Sequence, residues 1–252
     1  MASLKSRLQH SFTPAALRSY LAEFISTFLF VFASVGAATS AWKMAPAAAS
    51  DPSSLTAIAI ANAFALSAAV YIAANISGGH VNPAVTFGMA VGGHITIPTA
   101  VFYWIAQMLA SVMACLLLKT LTVGQHIPIH TIPSEMTGFG ASILEGTMTF
   151  GLVYTVYASR RVAAVGGVGP LAVGFIVGAN VLASGPFTGG SMNPACAFGA
   201  ALIGGSFKNQ AVYWVGPLIG AALAGILYDN VVFPVQATDD SLRGVSDGVG
   251  DI

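Results

Sequence analysis

Long stretches without a charged side chain limit how this chain can fold more than any other feature. Residues 52–118 and 162–207 contain no aspartate, glutamate, lysine or arginine, and only 7% of the 252 residues are charged. A water-soluble domain carries roughly a quarter charged residues, because its surface must be solvated. Segments of this length and composition are stable in lipid, so the sequence predicts an all-α protein that crosses a membrane several times.

The apolar residues form six segments long enough to cross a membrane and two that are too short. Taking about 20 apolar residues per crossing, we place the spans at 20–41, 55–76, 99–121, 138–159, 168–186 and 211–233. The short segments, 82–93 and 193–204, would reach only about half way across the hydrocarbon. We therefore predict six transmembrane helices plus two re-entrant half-helices.

An internal duplication accounts for the two short segments. The sequence SGGHVNPAVTFG at 77–88 matches TGGSMNPACAFG at 188–199, and each repeat begins with an apolar helix that holds a single acid, Glu23 or Glu145. Each repeat, about 20–121 and 138–234, contains three crossings, so the second repeat must enter the membrane from the opposite side. Such an inverted repeat places functional elements near the membrane midplane.

The basic residues predict the orientation. The six spans put Lys43, Lys119 and Lys208 on one side of the membrane. On the other side they put Lys5, Arg7, Arg18, Arg160, Arg161 and Arg243. The side with more basic residues is expected to be cytoplasmic. We therefore expect a cytoplasmic N-terminal segment (1–19), a channel domain (20–234) and a disordered cytoplasmic tail (235–252).

An Asn-Pro-Ala motif at the start of each short segment carries the candidate chemistry. The two copies are Asn82-Pro83-Ala84 and Asn193-Pro194-Ala195. Asparagine suits the N-cap of a helix and proline suits its first turn. If the half-helices enter from opposite faces, both positive dipole ends and both asparagine amides meet near the bilayer centre. Such a point binds a water oxygen and repels a cation.

Through these motifs, within SGGHVNPAVT at 77–86 and GGSMNPA at 189–195, the chain resembles the aquaporins, or major intrinsic proteins. The resemblance covers about residues 18–235. It implies a right-handed bundle of six tilted helices, a homotetramer with one pore in each subunit, and amide donors from Asn82 and Asn193 at the pore centre. Two other segments, YTVYA at 154–158 and VGFIVGAN at 173–180, are similar to the plant tonoplast intrinsic proteins, which implies a vacuolar membrane.

The same resemblance implies a second constriction, the selectivity filter, formed by four side chains. Carried over by spacing from the two motifs, its positions are Asn62, Val181, Gly190 and Cys196. Water-selective members generally have an arginine where this chain has Cys196, and the combination is similar to the fifth group of the tonoplast subfamily. A thiol in place of a guanidinium removes a positive charge, several donors and volume. We therefore expect a wider, less polar filter that admits urea, glycerol and ammonia as well as water.

Four further polar residues each have two possible roles. Glu23 and Glu145 either hold the re-entrant loops by accepting from backbone N–H groups or relay protons, and we favour the first role. His80 either lines or gates the pore or is simply hydrogen-bonded within its loop. His130 either folds over the filter, as a loop histidine does in some tonoplast relatives, or is a solvated loop residue.

Three classes of function are compatible with this pattern: a passive channel, a coupled secondary transporter and a membrane scaffold. A transporter also has inverted repeats and broken helices, but the sequence offers no clustered charges as a coupling site beyond the two glutamates. A net charge of zero gives no face for nucleic acid. No nucleophile–base pair or metal-ligand cluster indicates an enzyme, a cofactor or a metal, and Cys115 and Cys196 lack CxxC or metal-ligand spacing. The sequence thus predicts a passive, ion-excluding channel whose partners are water, small neutral solutes and membrane lipid.

Overall fold

The computed structural model describes residues 11–45, 51–162 and 167–233, and within these ranges every regular element is a helix. The α-helices are α1 (Pro14–Met44), α2 (Pro52–Ala73), α3 (Pro83–Val91), α4 (Ile97–Leu121), α5 (Gly138–Val162), α6 (Gly169–Thr188), α7 (Pro194–Gly204) and α8 (Val212–Leu227). A π-helical turn, Tyr228–Val232, extends α8. The predicted arrangement of six long helices and two half-helices, α3 and α7, is confirmed.

Polar caps followed by proline set where most of the helices begin. Five helices start with a side chain that accepts a first-turn N–H group: Thr13, Asp51, Asn82, Thr96 and Asn193. Because Thr13 and Pro14 form such a start signal, α1 begins at Pro14 rather than at residue 20 and includes part of the predicted N-terminal segment. Residues 1–10 and the predicted tail, 235–252, lie outside the described residues.

Five of the long helices are apolar enough by themselves to cross a membrane: α1, α2, α4, α6 and α8 with its π-helical extension. Helix α5 has 25 residues, a length of about 38 Å, but it contains Glu145 and ends with Arg160 and Arg161. It packs against α6 and α8 as α1 packs against α2 and α4. It is therefore the first span of the second repeat, although its composition is less apolar.

Each half-helix packs against a long helix of the other repeat. Helix α3 contacts α8, helix α7 contacts α4, and the two half-helices also contact each other. The two repeats are thus interlocked rather than set side by side, and the N-termini of α3 and α7 are brought together inside the bundle.

Large apolar side chains lie on the outside of the bundle, and small or polar side chains lie inside. On α1, Leu21, Ile25 and Leu29 recur every four residues and are about half exposed, whereas Ser26 and Thr27 are fully buried. A continuous apolar outer surface is unfavourable in water and suits contact with lipid. The chain is therefore built as a multi-pass integral membrane protein.

Glycines allow α5 and α8 to approach backbone to backbone. A side-chain carbon added at Gly220 would lie 2.8 Å from the carbonyl carbon of Gly146, and one added at Gly146 would lie 3.0 Å from the carbonyl oxygen of Gly216. Neither neighbour is a flexible side chain that could move away. Small residues at such crossings let helices associate in lipid, where no hydrophobic driving force brings them together.

We expect Gly220→Ala to lower the stability of the folded chain by about 1–3 kcal/mol, because one methyl group overpacks this crossing. The measurement is the temperature of unfolding in detergent, followed by tryptophan fluorescence. Gly151→Ala in α5 is the matched control, since an added carbon at Gly151 meets nothing within 4 Å. Equal unfolding temperatures for the two variants would contradict the close α5–α8 contact.

Candidate pore

The two Asn-Pro-Ala motifs face each other and are tied together across the repeats. Asn82 Nδ2 donates to the carbonyl oxygen of Met192 at 2.8 Å, and Asn193 Nδ2 donates to the carbonyl oxygen of Val81 at 3.0 Å. Each asparagine also caps its own half-helix, since Asn82 Oδ1 accepts from the Ala84 N–H group and Asn193 Oδ1 accepts from the Ala195 N–H group. The structure therefore brings both half-helix N-termini to one point.

The backbone before each motif takes the same unusual conformation in both repeats. Gly78, Gly79 and Val81 have φ angles of 92°, 65° and 59°, and Gly189, Gly190 and Met192 have angles of 80°, 63° and 52°. Glycine adopts this left-handed region without cost, but a β-branched valine does not. Such backbone persists only where the surroundings hold it in place.

The two buried glutamates hold these loops. Glu23 accepts from the N–H groups of His80 (2.8 Å) and Val81 (2.7 Å) and from the Ser77 hydroxyl (2.6 Å). Glu145 makes the equivalent contacts in the second repeat. Its partners are Ser191 N–H (3.1 Å), Met192 N–H (2.7 Å) and the Thr188 hydroxyl (2.6 Å). Both carboxylates are fully buried. These contacts are the ones that the loop-holding role requires.

Two tyrosines that the sequence analysis did not identify complete the support. Tyr103 donates to the carbonyl oxygen of Ser77 at 2.9 Å, and Tyr213 donates to that of Thr188 at 3.0 Å. Each tyrosine lies on the last long helix of its own repeat, α4 or α8. Their matching positions after the two duplicated segments are the sequence signal that could have identified them.

The four predicted filter residues surround one cavity of about 290 Å³ on the His130 side of the motifs. We call it the outer cavity, and its walls include Asn62, Val181, Gly190, Cys196 and His130. A narrower space of about 10 Å³, the inner cavity, lies beyond the motifs and is lined by His80, Asn82 and Asn193. Ser191 and Phe30 line both cavities. The two cavities therefore adjoin along one path past the asparagines.

Ser34 on α1 is a lining residue that the sequence analysis missed. Its hydroxyl donates to Asn62 Oδ1 at 2.7 Å, and Asn62 Nδ2 donates to the carbonyl oxygen of Ile58 at 2.9 Å. The side-chain amide of Asn62 is thus largely engaged by the protein. Cys196 and Val181 bring no charge to the wall of the outer cavity.

His130 lies in the loop between α4 and α5 and closes over the second re-entrant loop. A side-chain carbon at Gly189 would lie 2.8 Å from its Cδ2 atom, and its ring centroid is 5.5 Å from that of Tyr213. Burial lowers the pKa of His130 to about 4, so its imidazole is neutral at pH 7. The structure therefore places His130 at the filter as an uncharged side chain and not free in solvent.

His80 lies in the first re-entrant loop, with its Nδ1 atom 3.0 Å from Thr86 Oγ1. Its ring is 2% exposed and contacts Tyr103 edge-on at a centroid distance of 5.1 Å. The inner cavity beside it has room for about one water molecule. Among the described residues no cluster of three or more histidines, cysteines or acids is placed to hold a metal.

Comparison with known proteins connects this geometry to a family. Residues 10–228 match the family described as Major intrinsic protein. The chain is 58% identical to "Probable aquaporin TIP5-1" of Arabidopsis thaliana over 98% of this chain and 97% of that one. It is 57% identical to "Aquaporin TIP2-1" of the same plant, over 88% and 90%. In fold it is similar to the aquaglyceroporin from Plasmodium falciparum, with a TM-score of 0.72 and 20% identity over 86% of this chain and 96% of that one.

We expect Glu145→Leu to lower the folded yield strongly, because the N–H groups of Ser191 and Met192 would be buried without an acceptor at about 1–3 kcal/mol each. Glu145→Gln keeps one acceptor oxygen and should retain much of the folded protein and of its water flux. Both quantities are measured by size-exclusion chromatography in detergent and by stopped-flow light scattering of vesicles.

Glu135 is the control, since it is exposed in the loop before α5. Glu135→Leu should leave the yield unchanged. A well-folded Glu145→Gln variant without any water flux would favour the proton-relay role and count against loop support.

Proposed function

Because this chain belongs to the major intrinsic protein family, whose members are channels and not enzymes, we propose that it passively conducts water and small uncharged solutes. The solutes we propose are urea, glycerol and ammonia, and ions and protons are excluded. The observation that carries this proposal is the meeting of both asparagine amides and both half-helix N-termini between two adjoining cavities. Its relatedness to the TIP-type aquaporins places the chain in the vacuolar membrane.

The asparagine geometry explains how a neutral molecule passes. A carboxamide has two N–H donors, and one hydrogen of each asparagine is used across the repeats, on Met192 or Val81. One N–H group of Asn82 and one of Asn193 remain for a permeating oxygen. A water that accepts from both has no lone pair left to accept from the next water. The hydrogen-bonded chain needed for proton hopping is interrupted there.

The same point repels cations. The N-terminus of a helix carries about half a positive charge, and two N-termini converge beside the smaller of the two cavities. An ion would also have to lose its hydration shell in a space of about 10 Å³, and few groups in the lining could replace that shell. Exclusion of ions therefore rests on dipoles and on dehydration rather than on a charged filter residue.

The solute range follows from the outer cavity. Cys196 and Gly190 leave open the volume that an arginine would fill, and Ser34 occupies the amide oxygen of Asn62. A cavity of about 290 Å³ whose wall, within the described residues, holds no aspartate, glutamate, lysine or arginine suits neutral solutes larger than water, such as urea and glycerol. We further propose that the chain assembles as a homotetramer in which each subunit keeps its own pore.

The described residues do not support the alternative function, a coupled secondary transporter. Glu23 and Glu145 are the only buried acids among them, and both use their oxygens to hold a loop. Glu23 accepts four hydrogen bonds and Glu145 accepts three from these residues, so little of either carboxylate's capacity is left for a coupling ion.

We expect proteoliposomes containing this chain to shrink under an osmotic gradient much faster than empty liposomes. Urea, glycerol and ammonia should enter down their own gradients. Light scattering measures the volume changes, and a pH-sensitive dye measures proton entry. Solute flux that depends on a sodium or proton gradient would refute a passive channel.

We expect a mercurial to block this flux through Cys196, because its thiol lies in the wall of the outer cavity. Cys115 is fully buried within α4 and is not part of either cavity wall. Cys115→Ser should therefore stay sensitive and Cys196→Ser should become resistant, measured as water flux before and after treatment. Equal inhibition of the two variants would remove Cys196 from the pore lining.

We expect Cys196→Arg to lower urea and glycerol flux more than water flux, since the guanidinium restores bulk and charge beside Gly190. The urea-to-water flux ratio should fall about tenfold, a cost of about 1.4 kcal/mol on passage of the larger solute. Both fluxes are measured on the same vesicles, with Cys196→Ser as the control of wild-type ratio. An unchanged ratio in Cys196→Arg would show that residue 196 does not set solute size.

A further inference from the structure

Two hydrogen-bond donors at the pore end opposite the filter have no partner in the part of the chain that the structure describes. His80 Nε2 is buried without a hydrogen-bond partner there, and the His80 side chain lines the inner cavity. Arg160, at the end of α5, forms no ion pair with any described carboxylate. Buried polar groups are almost always hydrogen-bonded, so the His80 nitrogen requires a partner that the protein does not supply.

A chain of hydrogen bonds leads to His80 and favours one of its two neutral tautomers. The amide nitrogen of Gln107 donates one hydrogen to Glu23 Oε2 at 2.8 Å and the other to Thr86 Oγ1 at 3.0 Å. The Thr86 hydroxyl accepts from Gln107, so its own hydrogen can point to His80 Nδ1, 3.0 Å away. Because Nδ1 accepts, the neutral imidazole carries its proton on Nε2. The unpartnered nitrogen is therefore a donor.

Arg160 stands beside this donor. A side-chain carbon added at Gly78 would overlap the Arg160 guanidinium and would lie 3.4 Å from His80 Nε2, so the guanidinium fills the space against Gly78, next to the His80 ring. Helix α5 runs from the loop that carries His130 to Arg160, so this space is at the opposite end of the pore from the filter.

The geometry points to a second selectivity site at this end, in which His80 Nε2–H and the Arg160 guanidinium bind the oxygen of a permeating neutral molecule and repel cations. Its ligands are oxygen acceptors: water, and the carbonyl or hydroxyl groups of small solutes. The inference rests on the proposed channel function and goes beyond it. The filter lacks a positive charge because Cys196 stands where water-selective relatives have an arginine, and the inference assigns that charge to a residue outside the filter.

The second repeat has no equivalent of this site. Ser191 stands at the position of His80 and Ala197 at that of Thr86. At the filter end, Cys196 brings no charge and His130 is neutral at pH 7. Within the part of the chain that the structure describes, Arg160 is a positively charged side chain that lies against a re-entrant loop. A pore with an uncharged filter gains its charged barrier at the other entrance.

The charge is close enough to matter. Two like charges about 6 Å apart repel by roughly 3 kcal/mol at an effective dielectric constant near 20, and mobile salt reduces this value at a mouth open to solvent. We therefore expect loss of the Arg160 charge to raise cation leak relative to water flux on the order of tenfold.

The experiment compares Arg160→Gln with wild type in proteoliposomes, measuring potassium leak and osmotic water flux on the same vesicles. Glutamine keeps a donor and removes the charge. Arg18→Gln is the control, since Arg18 is an exposed arginine on the same side, and within the described residues its side chain hydrogen-bonds to the carbonyl of Pro14. The leak-to-water ratio should rise about tenfold in Arg160→Gln and stay at the wild-type value in Arg18→Gln.

A double variant tests whether the charge is the cause. Adding Cys196→Arg to Arg160→Gln returns a positive charge to the pore at the other end, and the leak-to-water ratio should fall back towards wild type. A ratio that stays high in the double variant, or that never rises in Arg160→Gln, would overturn the site. Wild-type vesicles without water flux would instead refute the channel itself, so the two failures are distinguishable.

The tautomer of the His80 side chain can be measured separately from ion leak. In ¹⁵N-histidine-labelled protein in bilayers, solid-state NMR should show His80 with a protonated Nε2 and an unprotonated Nδ1. The signal is assigned by difference with His80→Asn. Thr86→Val removes the hydroxyl that fixes this tautomer and should yield a mixture of both forms. A wild-type His80 protonated on Nδ1 would overturn the assignment of Nε2 as the donor.

Discussion

The structure depends on one constraint: polypeptide that is not helical must find hydrogen-bond partners inside a membrane. The pore requires such polypeptide, because a half-helix can begin at the midplane only if an irregular segment leads to it. Glu23 and Glu145 meet the requirement by accepting from successive N–H groups of the two loops. Tyr103 and Tyr213 donate to a loop carbonyl in the same two places. The acids that look out of place in apolar helices are therefore what allows a path between the helices.

The two repeats share this support but differ at the ends of the path. The first repeat adds Gln107 to its glutamate, and through Thr86 this amide reaches His80. The second repeat receives His130 from a loop instead, over Gly189. Duplication thus supplied a symmetric frame, and the differences between the halves lie where molecules enter and leave.

Much of this arrangement could be predicted from the sequence, because its main signals are local. The short apolar segments and the repeated Asn-Pro-Ala predict half-helices by length and by capping, and a lone acid in an apolar helix indicates a buried hydrogen-bonding role. Ser34, Gln107 and Arg160 could not be identified in this way. Each contacts a residue that is distant in the sequence, and nothing in the local pattern of α1, α4 or α5 shows which neighbour a polar side chain will meet. The start of α1 at Pro14 was missed for a different reason. The predicted spans were placed by hydrophobicity, which carries no information about the capping residue Thr13.

The crossed bonds between the asparagines and the opposite loops have a consequence for how the chain is made. Asn82 donates to a carbonyl 110 residues later in the sequence, and Asn193 donates to one 112 residues earlier. The first loop leaves the ribosome long before the second loop has been synthesised. Until then the Asn82 amide lacks the carbonyl of Met192 as its acceptor. A single repeat made alone could form these crossed hydrogen bonds by pairing with a second copy inserted in the opposite orientation. An ancestral half-length protein with this geometry would have had to enter the membrane in both orientations, and fusion of two copies into one chain removed that need.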